Sequence, residues 1–255
     1  MVDEFWKRVN TSDVSEYSGD PSVGPSDERE SRAFIVELRH KRWILPQKSD
    51  RLPIRTRVAR ALDCGAGNGR VTQNVLLRAF DEVDLVELAA PTLAVALRNI
   101  AATANDSRRV GVLGRAFNVP LQKFEPEKGR EYDVVWLQFV TGYLVDADFD
   151  TLLRRLRSTL THQSQSTNEK ANGDEAAGEA VSSGGLIVIK DNVHFLDGPD
   201  VKPTCEPESH MTVRSRTHMH RIFESAGLKI LLERKITANY LPVSVCCPVW
   251  LFVLR

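Results

Sequence analysis

The chain contains the glycine-rich sequence ALDCGAGNGR at residues 61–70, at the end of a short apolar run that begins at residue 58. The run has the length of a buried strand, the glycines form a G-x-G-x-G turn, and residues 70–77 form the pattern of an amphipathic helix. Glycines let the backbone bend sharply and let a ligand approach the main chain, and a helix N-terminus presents free N–H groups. The sequence therefore predicts a nucleoside-binding crevice for a ligand that carries a negative group or an amino-acid carboxylate.

A second predicted strand, residues 83–87, ends in Glu87, about 20 residues after the turn, where a carboxylate can accept hydrogen bonds from both ribose hydroxyls. The turn lacks the G-x-G-x-x-G spacing expected for a dinucleotide, and Asp63 lies two residues before the first glycine. Both features favour S-adenosylmethionine, which has no phosphate, over NAD. We therefore predict S-adenosylmethionine as the cofactor and Glu87 as the residue that binds its ribose.

Length and composition indicate one enzyme-sized globular domain, since 255 residues with 42% hydrophobic content can bury a full core. The 34 basic and 34 acidic residues balance, so nothing indicates a general binder of nucleic acid or of anionic membranes. The N-terminal residues resemble no signal peptide, and no apolar stretch approaches the roughly 18 residues of a membrane span. We expect a soluble cytoplasmic or nuclear protein with no membrane or direct nucleic-acid partner.

Strand-like and helix-like stretches alternate along the chain, which predicts an α/β fold with a mostly parallel sheet and helices on both faces. The predicted strands include residues 110–113, 132–137 and 185–190, and the predicted helices include residues 148–160 and 209–226. Residues 161–184 are rich in small and polar side chains and are predicted to form a flexible surface insertion. His210, His218 and His220 lack the spacing and the third ligand of a zinc site, so no metal site is expected.

Four segments, residues 62–72, 121–124, 134–144 and 187–192, closely resemble the protein alpha-N-terminal methyltransferases, and the likeness runs from about residue 31 to residue 255. This family has the Rossmann-like class I fold with a seven-stranded sheet, and it methylates the free α-amine of proteins with Pro second and Lys or Arg third. The resemblance implies that activity, with N-terminal tails of proteins as partners. It also implies an N-terminal helical and substrate-lip segment at residues 1–57 before a methyltransferase domain at residues 58–255, and we expect a monomer.

The resemblance implies a set of cofactor contacts. Arg70, one residue after the glycine turn, has little evident structural reason to be cationic. The contacts are Gly65, Gly67 and Arg70 near the methionine carboxylate, Glu87, Leu88 and Ala89 at the ribose and adenine, Leu121 and Gln122 at the adenine edge, and Gln138 beside the methionine moiety.

The resemblance places the substrate amine beside Asn192 and predicts substrate contacts from Trp6, Phe139 and Asp191. Local reasoning alone would equally let Asp191 and Asn192 form a turn at the strand end. Three features depart from the family. Residues 14–19 do not reproduce its Leu-Gly-Gly-Tyr lip, and Phe139 and Tyr143 stand where it has Trp and His.

Tyr143 is a poorer general base than His at neutral pH, because its reference pKa of about 10, against about 6.5 for His, keeps its hydroxyl protonated. The family uses a second acid near the substrate amine, and the resemblance places it between residues 197 and 210. Glu208 is the catalytic candidate, and Asp200 and Glu206 are its alternatives. Ser209 stands at the position that aligns with the family's acid. Two other functions stay open: a methyltransferase for a different amine, and a catalytically idle relative that binds the cofactor and acts as a partner protein.

Overall fold

A computed structural model of the chain describes residues 24–44, 57–162, 184–205, 211–236 and 247–255. Predictions that fall on residues 1–23 and 163–183, including most of the insertion predicted at 161–184, lie outside these ranges. The helices are α1 (Gly24–His40), α2 (Arg70–Asn74), α3 (Ala90–Ala102), α4 (Asp146–Arg157) and α5 (Arg216–Ser225). The strands are β1 (Arg60–Cys64), β2 (Glu82–Val86), β3 (Val112–Phe117), β4 (Val134–Gln138), β5 (Leu186–Asn192), β6 (Thr204–Cys205), β7 (Thr212–Val213), β8 (Ile230–Lys235) and β9 (Val249–Leu254).

Seven of these strands form one sheet in the order β3-β2-β1-β4-β5-β9-β8. Strands β1 to β5 pair in parallel, and β9 runs antiparallel to both of its neighbours. The central strands are almost wholly buried, as expected when both faces of a parallel sheet are covered. The predicted mostly parallel seven-stranded sheet is confirmed, and β6 and β7 form a separate short antiparallel pair.

Helices cover both faces of the sheet. On one face, Phe34, Ile35 and Leu38 of α1 share a buried cluster with Trp136 of β4 and with residues of α2 and α3. On the other face, α4 and α5 contribute the leucine and phenylalanine side chains of a second cluster. Because α1 packs into the same core as the sheet, the described part of the predicted segment 1–57 is continuous with the domain that follows.

Several predicted boundaries are wrong. The helix predicted at residues 70–77 ends at Asn74 and is followed by a separate 3-10 turn, Leu76–Arg78, and three other boundaries are set by pairing or capping. Strand β3 extends from Val112 to Phe117 and not over the predicted residues 110–113, because its backbone pairs with β2 along that length. Helix α4 ends at Arg157, since Leu160 instead pairs with Tyr132 in an isolated bridge. Helix α5 begins only at Arg216, after the Ser215 side chain accepts a hydrogen bond from the His218 N–H as its N-cap.

Within the described ranges, no helix has both the length and the apolar character that crossing a membrane requires.

Candidate functional site

The candidate site lies at the carboxyl ends of β2, β1, β4 and β5, which are neighbours in the sheet. Loops that follow parallel strands meet at one edge, and ligands of open α/β sheets bind there. The glycine turn follows β1, Glu87 follows β2, Phe139 follows β4, and Asn192 ends β5. The structure therefore brings most of the described predicted site residues to a single edge.

The glycine turn has three residues in the left-handed region, Gly65 (φ 77°), Gly67 (φ 55°) and Gly69 (φ 81°). The first and third are needed for packing, since a Cβ on Gly65 would lie 2.5 Å from Val140 and one on Gly69 would lie 3.0 Å from Ala96. A Cβ on Gly67, in contrast, would meet no atom of the described residues within 4 Å. Among these residues Gly67 therefore faces open space, as expected where a ligand approaches the main chain.

Replacing Gly67 by alanine is expected to weaken binding of S-adenosylmethionine about tenfold, because the added methyl group enters the space that the ligand would occupy. The backbone cost alone is about 1 kcal/mol for a residue at positive φ. Gly129 (φ 80°) provides a matched control, since a Cβ there also meets no atom of the structure's described ranges within 4 Å. Calorimetric titration and thermal unfolding of Gly67→Ala and Gly129→Ala separate the two effects, and equal cofactor binding by both variants would contradict the assignment.

Glu87, directly after β2, stabilises the glycine turn through a hydrogen bond. Its buried carboxylate accepts a hydrogen bond from the Gly67 N–H (2.9 Å) on Oε2 and one from the Ala89 N–H (2.8 Å) on Oε1. Burial raises the pKa of Glu87, and the backbone N–H groups oppose that rise. Each oxygen retains a second lone pair, so the carboxylate can brace the turn and still accept a ribose hydroxyl.

Asp63 lies buried at the end of β1, where its Oδ2 accepts a hydrogen bond from the Thr72 hydroxyl (2.6 Å). Burial raises the pKa of Asp63 from 3.8 to about 6, although Thr72 and the Arg70 charge oppose the shift. Between these two values the folded protein holds a proton that the unfolded chain has lost. The free energy of unfolding therefore falls as the pH rises through this window and levels off above it.

Asp63→Asn is expected to remove this pH dependence. The free energy of unfolding of the variant, relative to that of the natural chain, should rise by about 1 kcal/mol between about pH 5 and about pH 7. The reason is that only the natural chain must ionise a buried carboxyl. The Thr72 hydroxyl can turn to accept a hydrogen bond from the new amide. Urea unfolding without cofactor at both pH values measures the difference, and parallel pH curves for the two proteins would contradict it.

Arg70, at the start of α2, has a partner that the sequence did not reveal. Its Nη1 donates to Oδ2 of Asp27 (2.6 Å), a fully buried carboxylate in the first turn of α1. The expectation that Arg70 lacks a structural reason to be cationic is therefore wrong. The same Asp27 carboxylate accepts from Gln138 Nε2 (2.8 Å) and Lys190 Nζ (2.6 Å), while Gln138 Oε1 accepts from the Trp136 indole N–H (3.0 Å).

The residues predicted at the ribose and adenine line the loops after β2 and β3. Ala89 is buried and Leu88 is half-buried, and Asn118 Nδ2 donates to the carbonyls of Glu87 (2.9 Å) and Leu88 (2.8 Å). Asn118 was missed by sequence reasoning, although a polar residue just after a strand end is a signal that could have found it. Leu121 and Gln122 begin a 3-10 turn, Leu121–Lys123, in which Leu121 also belongs to the second core cluster.

Phe139 follows β4 with φ 53°, a backbone conformation that bulky residues rarely adopt. Its N–H donates to the Lys190 carbonyl (3.0 Å), which ties the end of β4 to β5. Such strain persists only where the surrounding structure enforces it, and it is common at functional sites.

Tyr143 lies half-buried on the next turn, Thr141–Tyr143, which is held by hydrogen bonds from two other parts of the chain. Asp191 accepts from the Thr141 N–H (2.8 Å) and hydroxyl (2.6 Å), and buried Arg214 donates to the carbonyls of Thr141 and Leu144. Asp191 was predicted as a substrate contact, but the structure buries it behind the turn with both oxygens bonded. Burial raises the pKa of Asp191, and its hydrogen bonds oppose the rise.

Asn192 is half-buried and continues the β5 ladder opposite Val249 of β9. Its backbone N–H donates to Asp191 Oδ1 (2.8 Å), whereas its side-chain amide makes no hydrogen bond to any residue within the described ranges. The amide is therefore available to a ligand at the carboxyl edge. Trp6, Glu206, Glu208 and Ser209 lie outside the described residues, and Asp200 is exposed on the loop after β5. In the described parts of the chain, no three His, Cys, Asp or Glu side chains are grouped to hold a metal ion.

Comparison with known proteins gives consistent matches. A family model described as AdoMet (S-adenosylmethionine) dependent proline di-methyltransferase matches residues 2–167. "Alpha N-terminal protein methyltransferase 1" of Arabidopsis thaliana is 30% identical over 230 residues, which cover 89% of this chain and 69% of that protein. "N-terminal Xaa-Pro-Lys N-methyltransferase 1" of Danio rerio is 35% identical over 234 residues, or 92% of this chain and 86% of that protein.

Among solved structures, a SAM-dependent methyltransferase of Leishmania major superposes with a TM-score of 0.68 at 23% identity, covering 100% of this chain and 81% of that one. This likeness supports the fold. The residues present also fit S-adenosylmethionine, since Gly67 faces open space and the Glu87 carboxylate stands beside it. Together with the family model and the two relatives, these features show that the chain is an S-adenosylmethionine-dependent methyltransferase and belongs to the AdoMet-dependent proline di-methyltransferase family.

Proposed function

We propose that this enzyme methylates the free α-amine of protein N-termini of the X-Pro-Lys/Arg type. The observation that carries the proposal is the 35% identity, over most of both chains, to the zebrafish protein named for Xaa-Pro-Lys N-methylation. The Asn192 side-chain amide at the carboxyl edge supports it, since this amide makes no hydrogen bond to any residue that the structure describes. An amide carbonyl can accept a hydrogen bond from an amine without adding charge to the site.

The proposed roles divide between cofactor and substrate. Bound S-adenosylmethionine supplies an electrophilic methyl group. Gly65, Gly67 and Arg70 hold its methionine end with Gln138, Glu87 holds its ribose, and the adenine lies against Leu88, Ala89, Leu121 and Gln122. Trp6 and Phe139 contact the incoming N-terminus, and Asn192 orients its amine. Asp191 acts indirectly, by holding the Thr141–Tyr143 turn.

The base requirement is modest, because a free α-amine has a reference pKa of about 7.7–8.0 and is partly neutral at physiological pH. Orientation of the amine supplies most of the rate in such a transfer. We propose that Tyr143 or Glu208 accepts the amine proton, directly or through one water molecule. This arrangement explains how a site with Tyr in place of the family's His can remain active.

Tyr143→Phe tests this role, since it removes the hydroxyl and keeps the ring. We expect kcat to fall by at least about tenfold, a barrier increase of about 1.4 kcal/mol, while S-adenosylmethionine binding is unchanged. A fall of less than about tenfold removes Tyr143 from proton transfer and leaves Glu208 as the candidate, which Glu208→Gln would then examine in the same assay.

The proposed activity is tested by incubating the purified chain with S-adenosylmethionine and a peptide that begins Ser-Pro-Lys, beside an N-acetylated copy. Mass spectrometry should show methyl groups added to the free peptide and none to the acetylated one. Methylation of both peptides would indicate a side-chain amine as acceptor. If neither peptide changes while calorimetry shows that the cofactor binds, the proposal fails for this peptide class, and a different amine or a catalytically idle relative becomes the better explanation.

We further propose that the enzyme is a monomer that acts in the cytoplasm or nucleus and contacts neither membranes nor nucleic acid. The balanced charge of the chain supports this proposal. Light scattering during size-exclusion chromatography measures the oligomeric state, and a mass near twice 28.6 kDa would contradict the monomer.

A further inference from the structure

We propose that Asp27 of α1 is a positioning residue for the cofactor site, and that it prepares Arg70 and Gln138 to hold the amino-acid end of S-adenosylmethionine. The proposal rests on the assignment of those two side chains to the methionine moiety. It adds α1, which the sequence motifs do not include, to the structure that determines cofactor affinity.

The first argument is the convergence of donors on one carboxylate. Arg70 at the start of α2, Gln138 at the end of β4 and Lys190 in β5 all donate to Asp27, at 2.6, 2.8 and 2.6 Å. Asp27 and Lys190 are fully buried. A buried carboxylate must be compensated by charges and hydrogen bonds, so these side chains are held where Asp27 requires them.

The second argument is the part of Arg70 that Asp27 leaves available. Asp27 engages only Nη1 of the guanidinium, and Nε and Nη2 make no hydrogen bond to any residue in the described ranges. These two nitrogens form the edge that can donate to a carboxylate in a bidentate pair. Asp27 thus fixes one corner of the guanidinium and leaves its side-on edge for a ligand carboxylate.

The third argument is charge balance. Lys190 Nζ also bonds Glu30 Oε2 (2.9 Å) and Ser31 Oγ (3.1 Å) on the next turn of α1. Asp27 and Glu30 therefore offset the charges of Lys190 and Arg70. Without the Asp27 charge, Lys190 would lose its closest carboxylate. Arg70 would keep only the longer contact from its Nη1 to Glu28 Oε1 (3.9 Å), which restrains its rotamer less than the 2.6 Å bond to Asp27. The site would lose orientation at its methionine end, while the ribose end at Glu87 would keep its own hydrogen bonds.

The test compares two ligands, S-adenosylmethionine and 5′-deoxy-5′-methylthioadenosine, which lacks the amino-acid group. We expect Asp27→Asn to raise the dissociation constant for S-adenosylmethionine by at least about tenfold and that for methylthioadenosine by less than about threefold, both measured by calorimetry. An equal loss for both ligands would show a merely structural role, and no loss for either would also overturn the proposal. Glu37→Gln, which removes a carboxylate from the exposed end of α1 where it pairs with Arg234, is the matched control and should leave both ligands unaffected.

A double-mutant cycle shows whether Asp27 acts through Arg70. In the Arg70→Met background, Asp27→Asn should weaken S-adenosylmethionine binding by less than about threefold, because the cationic side chain that Asp27 positions is already gone and only Gln138 remains to be displaced. A further tenfold loss in that background would refute positioning through Arg70.

Thermal unfolding without ligand identifies a variant that does not fold. If Asp27→Asn does not fold, Asp27→Glu replaces it. The same ligand selectivity is expected of Asp27→Glu, because its longer side chain displaces the carboxylate. No peptide is present, so these results and those of the methylation assay can fail independently.

Discussion

Replacing Glu87 by alanine is expected to raise the dissociation constant for S-adenosylmethionine by about two orders of magnitude. The carboxylate makes charge-assisted hydrogen bonds to the N–H groups of Gly67 and Ala89, and it is the proposed acceptor for the ribose hydroxyls. Hydrogen bonds to a charged group contribute about 1.5–3 kcal/mol each, so loss of the ribose contacts and of the braced turn should together cost about 3 kcal/mol of binding. Calorimetric titration of the purified variant measures the change directly.

Two further variants separate the causes of that loss. Glu87→Gln keeps one acceptor oxygen but turns an NH₂ group toward a backbone N–H, so its affinity should fall between those of the natural chain and the alanine variant. Asp106→Ala removes a carboxylate that accepts from the Arg108 N–H (2.9 Å) in the turn before β3, at the opposite edge of the sheet. It should bind the cofactor normally. Binding by Glu87→Ala within about threefold of the natural chain would rule out Glu87 as the ribose acceptor.

Glu87 and the glycine turn could be predicted from sequence because their geometry is local. A strand followed by a turn and a helix fixes where the glycines lie, and parallel pairing of β1 with β2 brings Glu87 beside Gly67. Asp27 could not be predicted in the same way. It contacts Arg70, Gln138 and Lys190 across 43, 111 and 163 positions of sequence, and an acid in the first turn of a helix usually has only local significance.

The contacts that hold the turn carrying Tyr143 could not be predicted from local sequence either. The motif around Asp191 and Asn192 was recognised, but no local pattern says that Asp191 points toward Thr141 or that Arg214 closes the turn from a different element. The misplaced ends of β3 and α4 have a related origin. Apolar periodicity locates buried side chains, whereas the ends of an element depend on which neighbour its backbone pairs with, as Leu160 and Tyr132 illustrate.

The second large effect is expected at Asn192. Asn192→Ala should lower kcat for an X-Pro-Lys peptide by about 100-fold, because the proposed amide contact orients the attacking amine and misplacement by about 1 Å has a cost of that size. The fold should tolerate the change, since the side-chain amide makes no hydrogen bond within the described ranges and the β5–β9 pairing uses only the backbone. Single-turnover kinetics, with cofactor affinity measured in parallel, separate loss of orientation from loss of binding. Asn105→Ala, on the exposed turn after α3, is the control and should retain full activity.

Asn192→Asp distinguishes orientation from electrostatics at the same position. A carboxylate beside the substrate would favour the charged ammonium form and raise the pKa of the amine, so the rising limb of the pH–rate profile should move to higher pH. The alanine variant should instead lose rate at every pH without a shift of that limb, because it changes geometry and adds no charge. If Asn192→Asp lowered the rate with no displacement of the pH profile, Asn192 would lie too far from the reacting nitrogen to hold it. The acceptor for the amine would then have to be sought elsewhere on the carboxyl edge, where Tyr143, on the loop after β4, is a described candidate.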